Sequence, residues 1–360
     1  MGRVEIVRKL EVSYSSQRRE MRGTVMAASL GKPDTKRGLS VVVVGCGHRF
    51  QTGVLPVLHR TRSEIVALVD PGEAAGRTTA SSLGAAGPSL IAEDFTRDTL
   101  RNIKADAVII ASPSGLHFAH SAASLEAGLR TFVEKPLACT SKQARHLATA
   151  AADKLTVSEQ RVHRMDIVLA KQIITSGRIG EILRVRYHDT IRAVPSFEST
   201  WRNDPRLAGG GVLFDLGYHT VSTLLWLLDL DPASLHPDTA ALHVGQLNVE
   251  DFAGVHLRYQ DVKISIRTAL VKHHPLEFLE VAGSKAVLTL RRLRERSNRS
   301  AVRITYEGKA DETICHLGAD YDTHALSAFL SSSSRDGSLS RHVGTIELIE
   351  EIYEIAKKRS

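Results

Sequence analysis

Four consecutive valines, Val41–Val44, open the patterned part of the chain. An unbroken apolar run of this length reads as a strand covered on both faces, as in parallel sheets. The runs Glu64–Asp70 (EIVALVD), Ala105–Ala111 (ADAVIIA) and Arg130–Glu134 (RTFVE) repeat it, and Leu155–Val157 is a last short one. Between them the spacing predicts helices over 51–60, 74–83, 116–127 and 141–153. Strands and helices alternating at this interval predict a doubly wound α/β domain with right-handed crossovers.

After residue 157 the period changes. A helix over 165–176 is stopped by Gly177. Alternating segments follow at Ile182–Arg192, Leu242–Val244, Phe252–Tyr259, Val262–Leu270, Glu277–Ala282, Val287–Leu290 and Val302–Tyr306. They read as half-exposed antiparallel strands, with helices over 212–228, 321–332 and 344–358. Ser331–Ser334 with Asp336 and Gly337 reads as a polar loop.

A length of 360 residues fits two domains at about 100–200 residues each. The pattern divides the chain into 1–37, 38–157 and 158–360. No run approaches the roughly 18 apolar residues of a membrane span, so no membrane partner is expected. Three scattered cysteines, Cys46, Cys139 and Cys315, argue against a disulfide framework and fit a reducing cytoplasm. Of the net charge of +7, a surplus of five lies in residues 1–37, with nine Lys/Arg against four Asp/Glu. The remaining +2 gives little support to a nucleic-acid surface. Residues 1–37 have no apolar core for a secretory signal, and Glu5, Glu11, Glu20 and Asp34 are wrong for a transit peptide. They read as a disordered basic extension, and Met21 and Met26 leave room for a later start.

Gly45-x-Gly47 directly after the valine strand is the start of a dinucleotide-binding turn. The first glycine permits the tight turn and the second lets backbone N–H groups approach a pyrophosphate at a helix N-terminus. Phe50 stands where the third glycine of that pattern would be, and His48 and Arg49 complete the turn. Asp70, at the tip of the second strand, could accept from both ribose hydroxyls and would repel a 2′-phosphate. That favours NAD, with NADP possible because Arg49 or Arg77 could hold a phosphate. Ligands in such sheets sit beyond the carboxyl ends of the strands. Ser112–His117 and Glu134-Lys135-Pro136 should therefore share one crevice, with Lys135 pointing into it.

The stretch GGGVLFDLGYH places Asp215 and His219 four residues apart, on one face of a predicted helix. Alone, the pair could be a helix cap and a core histidine. Two metal ligands are also conceivable, but spacing marks no third, and no metal is expected.

Together GCG after a valine strand, an acid ending the next strand, SPSGLH, EKP and GGGVLFDLGYH resemble the glucose–fructose oxidoreductase/inositol dehydrogenase/MocA (Gfo/Idh/MocA) family over about residues 40–355. The resemblance implies an α/β fold: an N-terminal Rossmann doubly wound parallel sheet and a C-terminal α+β domain with a large, mostly antiparallel open-faced sheet. It implies a nicotinamide cofactor, a sugar or cyclitol substrate, and a homodimer or homotetramer formed through that sheet. By position, Lys135, Asp215 and His219 match the family's catalytic set. Gly45, Gly47, Asp70, Ser112, Pro113, His117, Glu134 and Gln160 match its cofactor contacts.

Histidine, with a pKa near 6.5, suits proton transfer in both directions near neutrality. His219 is thus expected to be the base in alcohol oxidation, Lys135 to stabilise alkoxide charge, and Asp215 to orient either one. Trp201, Arg202, Arg161 and His163 are expected to line the substrate side, the cations holding a phosphate or carboxylate or lying solvated. The expected activity is NAD(P)-dependent hydride transfer at a secondary hydroxyl or ketone of a sugar or cyclitol. The alternatives are a redox-neutral NAD-dependent glycoside-cleaving enzyme and a non-catalytic dinucleotide sensor.

Overall fold

A computed structural model describes residues 38–72, 89–91, 95–151, 153–193, 200–294, 299–308, 310–317, 324–331 and 339–358. The expectations for residues 1–37, for the helix over 74–83 and for most of the loop after Ser331 lie outside the described residues.

Six parallel strands make the first sheet: β1 (Ser40–Val44), β2 (Glu64–Val69), β3 (Ser89–Ile91), β4 (Ala107–Ile110), β5 (Arg130–Val133) and β6 (Leu155–Val157), in the order β3-β2-β1-β4-β5-β6. Side chains alternate across a strand, and the valines of β1 divide accordingly. Val41 and Val43 join Phe50, Val54, Leu58, Ile109 and Phe132 on one side. Val42 and Val44 join Val108, Ile110 and Val133 on the other, in a cluster that continues into the second sheet. Sequential neighbours part between β1 and β4, where the order reverses and a crevice opens at the strands' carboxyl ends.

Around this sheet run α1 (Leu55–Thr61), α2 (Arg97–Arg101), α3 (His117–Glu126) and α4 (Ser141–Ala150). A π-helical turn, Phe50–Val54, leads into α1. Neither β3 nor α2 is predicted by the sequence: Ser89-Leu90-Ile91 follows Pro88 with only two apolar residues, and Arg97–Arg101 is polar but for Leu100. Thr96 caps α2 by accepting from the Thr99 N–H.

The second sheet has eight strands: β7 (Ile182–Arg192), β8 (His236–His243), β9 (Phe252–Tyr259), β10 (Val262–Val271), β11 (Leu276–Gly283), β12 (Ala286–Leu293), β13 (Arg299–Tyr306) and β14 (Glu312–Leu317). Their order is β14-β13-β12-β11-β7-β10-β9-β8. The sheet is not wholly antiparallel, since β7 and β10 pair in parallel at its centre. Alternation on β7 sends Val185, Tyr187 and Asp189 inward and leaves Arg184, Arg186 and His188 on the opposite face. β8 begins six residues before the predicted segment: Pro237 and Asp238 hide the start, and the register shifts there.

The inner face is covered by α5 (Met165–Thr175), α7 (Tyr218–Leu227) and α9 (Leu339–Lys357); α6 (Pro205–Ala208) is a single turn. α9 begins at Leu339 and not at 344, with Gly344 inside it. A Cβ on Gly344 would strike the Pro232 ring, so the glycine is kept for close approach and does not end the helix. α8 (His324–Ser331) returns to the first sheet, where Leu326 and Phe329 cover Phe132. α9 likewise lies against α4, tied by Arg145–Glu347 and by Glu350 Oε1 accepting the Ser141 N–H at 2.9 Å.

Candidate active site

Gly45 adopts φ +93°, and a Cβ there would meet the Ala111–Ser112 peptide at 2.7 Å. The turn after β1 therefore rests directly on the loop after β4. A Cβ on Gly47 would meet no protein atom within 4 Å, which leaves the backbone accessible to a phosphate. Asp70 faces the same turn: Oδ2 accepts the Cys46 N–H and Oδ1 the Gly72 N–H, both at 2.7 Å. Each oxygen retains a lone pair for a ribose hydroxyl. These features fit a dinucleotide.

Phe50 departs from expectation. Its ring is buried in the core beneath β1, so only its backbone could reach a cofactor. His48 is exposed, and Arg49 pairs with Glu134 at 2.7 Å. Ser112 Oγ lies 3.0 Å from His120 Nδ1. His117 is fully enclosed, with Nδ1 2.6 Å from the Pro136 carbonyl and Nε2 2.9 Å from the Ser112 carbonyl. The ring ties the two crevice loops together, and neither nitrogen is left for a ligand. Gln160 Nε2 donates to Ser158 Oγ at 3.4 Å. Burial, then Asp70, pushes the Cys46 thiol up to about 12, and burial pushes Cys139 up to about 11; both remain thiols at neutrality.

Lys135 leaves β5 through a cis Lys135–Pro136 bond. Its Nζ donates to Asp215 Oδ1 at 2.6 Å and to the Asp215 carbonyl at 2.9 Å. Arg202 Nε donates to Asp215 Oδ2 at 3.3 Å, and its guanidinium lies 4.5 Å over the Trp201 ring. Burial opposes the Asp215 charge, but Lys135 and Arg202 outweigh it and hold the carboxyl down to about 2.

Asp215 sits in a π-helical turn, Leu213–Gly217, that runs into α7, where His219 is the second residue. Burial first, then Lys135, Arg161, Arg294 and Arg49, pushes the His219 imidazole well below its usual range. At neutral pH it is uncharged, the form a general base requires. Its Nδ1 is buried without a hydrogen bond and lies 4.0 Å from Glu159 Oε1.

Packing explains the triple glycine. A Cβ on Gly210 would strike the Tyr353 hydroxyl, and one on Gly211 the Glu250 backbone. Glu250 then caps the turn that bears Asp215: Oε2 accepts the Gly211 N–H at 2.9 Å and Oε1 the Leu213 N–H at 3.1 Å. Tyr353 Oη donates to Glu250 Oε1 at 2.7 Å. Glu250, Tyr353 and Glu159 are absent from the sequence reading, since acids and a tyrosine in patternless positions give no signal.

Arg161 is neither a solvated residue nor free for an anionic ligand. It is buried against Asp189 at 2.5 Å and belongs to a network behind the site. There Arg164 grips both oxygens of Glu277 at 2.7 and 2.6 Å and both of Asp166 at 3.0 and 2.6 Å. Arg294 reaches Asp189 at 2.7 Å, and Tyr187 Oη donates to Glu277 at 2.7 Å. His163 is exposed and stacked on His324 with ring centroids 5.5 Å apart. Among the described residues no group of three His, Cys, Asp or Glu side chains could hold a metal ion, and no helix is long and apolar enough to cross a membrane.

A glycine turn at the switch point of a Rossmann sheet, facing a partly buried lysine–aspartate pair, defines a dinucleotide-binding protein of the oxidoreductase class. The chain belongs to the Gfo/Idh/MocA family: residues 39–159 match its oxidoreductase family, NAD-binding Rossmann fold, and residues 167–289 its GFO/IDH/MocA C-terminal domain. It is 26% identical over 221 residues to 1,5-anhydro-D-fructose reductase of Ensifer adhaerens, covering 61% of this chain and 65% of that protein. It is 32% identical over 146 residues to the scyllo-inositol 2-dehydrogenase (NADP(+)) of Bacillus subtilis, covering 39% and 38%. These matches therefore span less than two thirds of either relative. The fold is shared with a 3-ketoreductase of Actinomadura kijaniata in complex with NADP and TDP-benzene, at TM-score 0.77 and 20% identity over 89% of this chain and 98% of that one.

Proposed function

We propose that the protein transfers hydride between NAD(P) and a secondary hydroxyl or ketone of a sugar, sugar derivative or cyclitol. The observation that carries this reading is the Lys135–Asp215 pair at the carboxyl end of β5, with a neutral imidazole beside it. Bound nicotinamide would supply the hydride acceptor or donor. The chain's own groups account for the rest. An ammonium has three donors; Asp215 takes two of those on Lys135, and the third is left for the substrate oxygen, where alkoxide charge develops. His219 accepts the hydroxyl proton in oxidation and returns it in reduction.

Gly45, Gly47 and the backbone around them would hold the pyrophosphate, Asp70 the adenosine ribose, and Ser112, Pro113, Glu134 and Gln160 would border the nicotinamide side. Trp201 and Arg202 would border the substrate. Asp70 supports NAD over NADP. Residues 38–157 would form the cofactor domain and 158–360 the substrate domain. The outer face of the second sheet, which carries Arg184, Arg186 and His188, would associate with a second copy. Free thiols at Cys46 and Cys139 agree with a cytoplasmic setting.

The test is a spectrophotometric screen of NAD and NADP reduction over inositols, hexoses and sugar phosphates, and of NADH and NADPH oxidation over the matching ketones. Stoichiometric cofactor turnover that vanishes in Lys135→Ala supports the reading. Turnover that survives in that variant overturns it. Product without net cofactor reduction would instead point to redox-neutral cleavage, and cofactor binding with no turnover to a sensor.

A further inference from the structure

We propose that Glu159 is the positioning residue of the base: its carboxylate takes the Nδ1–H of His219, so that the Nε2 lone pair is presented to the substrate hydroxyl. The inference deepens the reading of His219 above and rests on it.

Three observations carry it. First, Glu159 is almost wholly buried two residues after β6, and among the described residues no lysine or arginine side-chain nitrogen lies within 4.0 Å of its carboxyl. Second, the carboxyl is fixed in place. Ser222 Oγ donates to Oε2 at 2.5 Å, and the Arg161 N–H donates to Oε1 at 3.3 Å. Ser222 lies three residues after His219 on α7, so the helix that carries the base also carries the clamp on its partner. Third, Oε1 lies 4.0 Å from His219 Nδ1, and that nitrogen is buried with no hydrogen bond. A buried ring nitrogen without a partner is costly, and the Glu159 carboxyl stands 4.0 Å from it.

The charges around the pair give this contact a purpose. His219 faces the cations Lys135, Arg161, Arg294 and Arg49, and the edge of the Tyr218 ring at 6.5 Å between centroids. Burial raises the Glu159 carboxyl and outweighs the downward pull of Ser222, Arg341 and Arg161, so positive charge arriving on His219 is what favours its carboxylate form. A proton arriving on His219 thus enters a positive surround, and Glu159 supplies the opposing charge on its far side. In oxidation the O–H bond breaks and its proton passes to Nε2. Bound nicotinamide would take the hydride from carbon as the C=O bond forms, and the imidazolium would share its Nδ1–H with Glu159. The proton stays on His219, as in other carboxylate–imidazole pairs.

The test compares Glu159→Gln, Glu159→Asp and Ser222→Ala with the full-length protein. In ¹⁵N-histidine NMR of the cofactor-free chain, His219 is expected as the Nδ1–H tautomer, and Glu159→Gln is expected to shift it to Nε2–H or a mixture. Glu159→Gln is expected to lower kcat by roughly 10²-fold, with substrate KM and cofactor Kd within about twofold. The acid limb of the kcat/KM profile moves to lower pH, because the imidazolium loses its counter-charge. Glu159→Asp restores part of kcat, and Ser222→Ala gives an intermediate loss. An Nε2–H tautomer in the unsubstituted protein, or a Glu159→Gln variant with unchanged kcat and acid limb, overturns the inference. If His219→Ala itself retains full activity, the reading of the base fails instead, and the two failures are told apart by that variant.

Discussion

Lys135 Nζ and Asp215 Oδ1, separated by 80 positions in the chain, meet at 2.6 Å. One is delivered by the end of a parallel strand and the other by a π-helical turn leading into a helix of the second half. The contact joins the part of the molecule that cradles a dinucleotide to the part that would hold a substrate.

Lys135→Met removes the ammonium at nearly constant volume. Positioned charge of this kind is worth about 10²–10⁴-fold, so kcat is expected to fall by that factor. Cofactor affinity, measured by fluorescence titration, should stay within a few-fold. Asp215→Asn should fall in the same direction but less far, since Lys135 keeps its bond to the Asp215 carbonyl.

Asp215 also makes acid stability measurable. Its folded value lies below the ordinary carboxylate value of 3.8, at about 2. Its contribution is therefore complete above pH 3.8 and is lost as pH falls towards 2. Melting curves of the wild type and Asp215→Asn should differ most above pH 4 and converge near pH 2.

His219 is displaced in the direction that favours the neutral ring. The acid limb of kcat/KM for oxidation is therefore expected below pH 6.5, the ordinary histidine value, and a pH–rate profile of the free enzyme reads it directly. A limb above 6.5 would contradict the electrostatic setting described here.

Glu277 is fully enclosed, gripped by Arg164 and Tyr187 and flanked by Arg294. Removing one partner of a buried pair leaves an uncompensated charge and costs about 3–5 kcal/mol. Urea unfolding of Glu277→Ala should show a loss of that order, larger than any surface pair such as Arg258–Asp238 would give.

Gly211→Ala would drive a Cβ into the Glu250 backbone. The strain should displace the capped turn, so kcat is expected to fall with stability. Tyr353→Phe removes one hydrogen bond from Glu250 without the clash and should do less, at about 0.5–1.5 kcal/mol in denaturant titration.

Much of this was legible in residue order. Buried valine and isoleucine runs announced the first sheet because a doubly covered strand has no polar face to blur. The crevice followed from the rule that ligands in such sheets sit beyond the strands' carboxyl ends, and the choice of Lys135, Asp215 and His219 as candidates from their motifs. Elements whose apolar residues are few or interrupted by polar ones, such as β3, α2 and β14 (ETICHL), were not legible, since neither a continuous apolar run nor a clear period marks them. Nor was the environment of single polar residues. Arg161 reads as a ligand-binding or solvated cation until Asp189 and Glu277 are brought beside it from distant strands. Phe50 reads as a defect in a glycine motif until its ring is seen filling the core. Glu250 becomes a cap only when β9 is preceded by a loop that touches Gly211.

The last two helices, α8 and α9, cross back to cover and clasp the first sheet, and the apolar cluster beneath it runs unbroken from Val42 to Ile352. Neither half is therefore expected to fold alone. A fragment severed after residue 157 would lose the Phe329 lid over Phe132, and heating the intact chain should yield one calorimetric peak where two independent lobes would yield two.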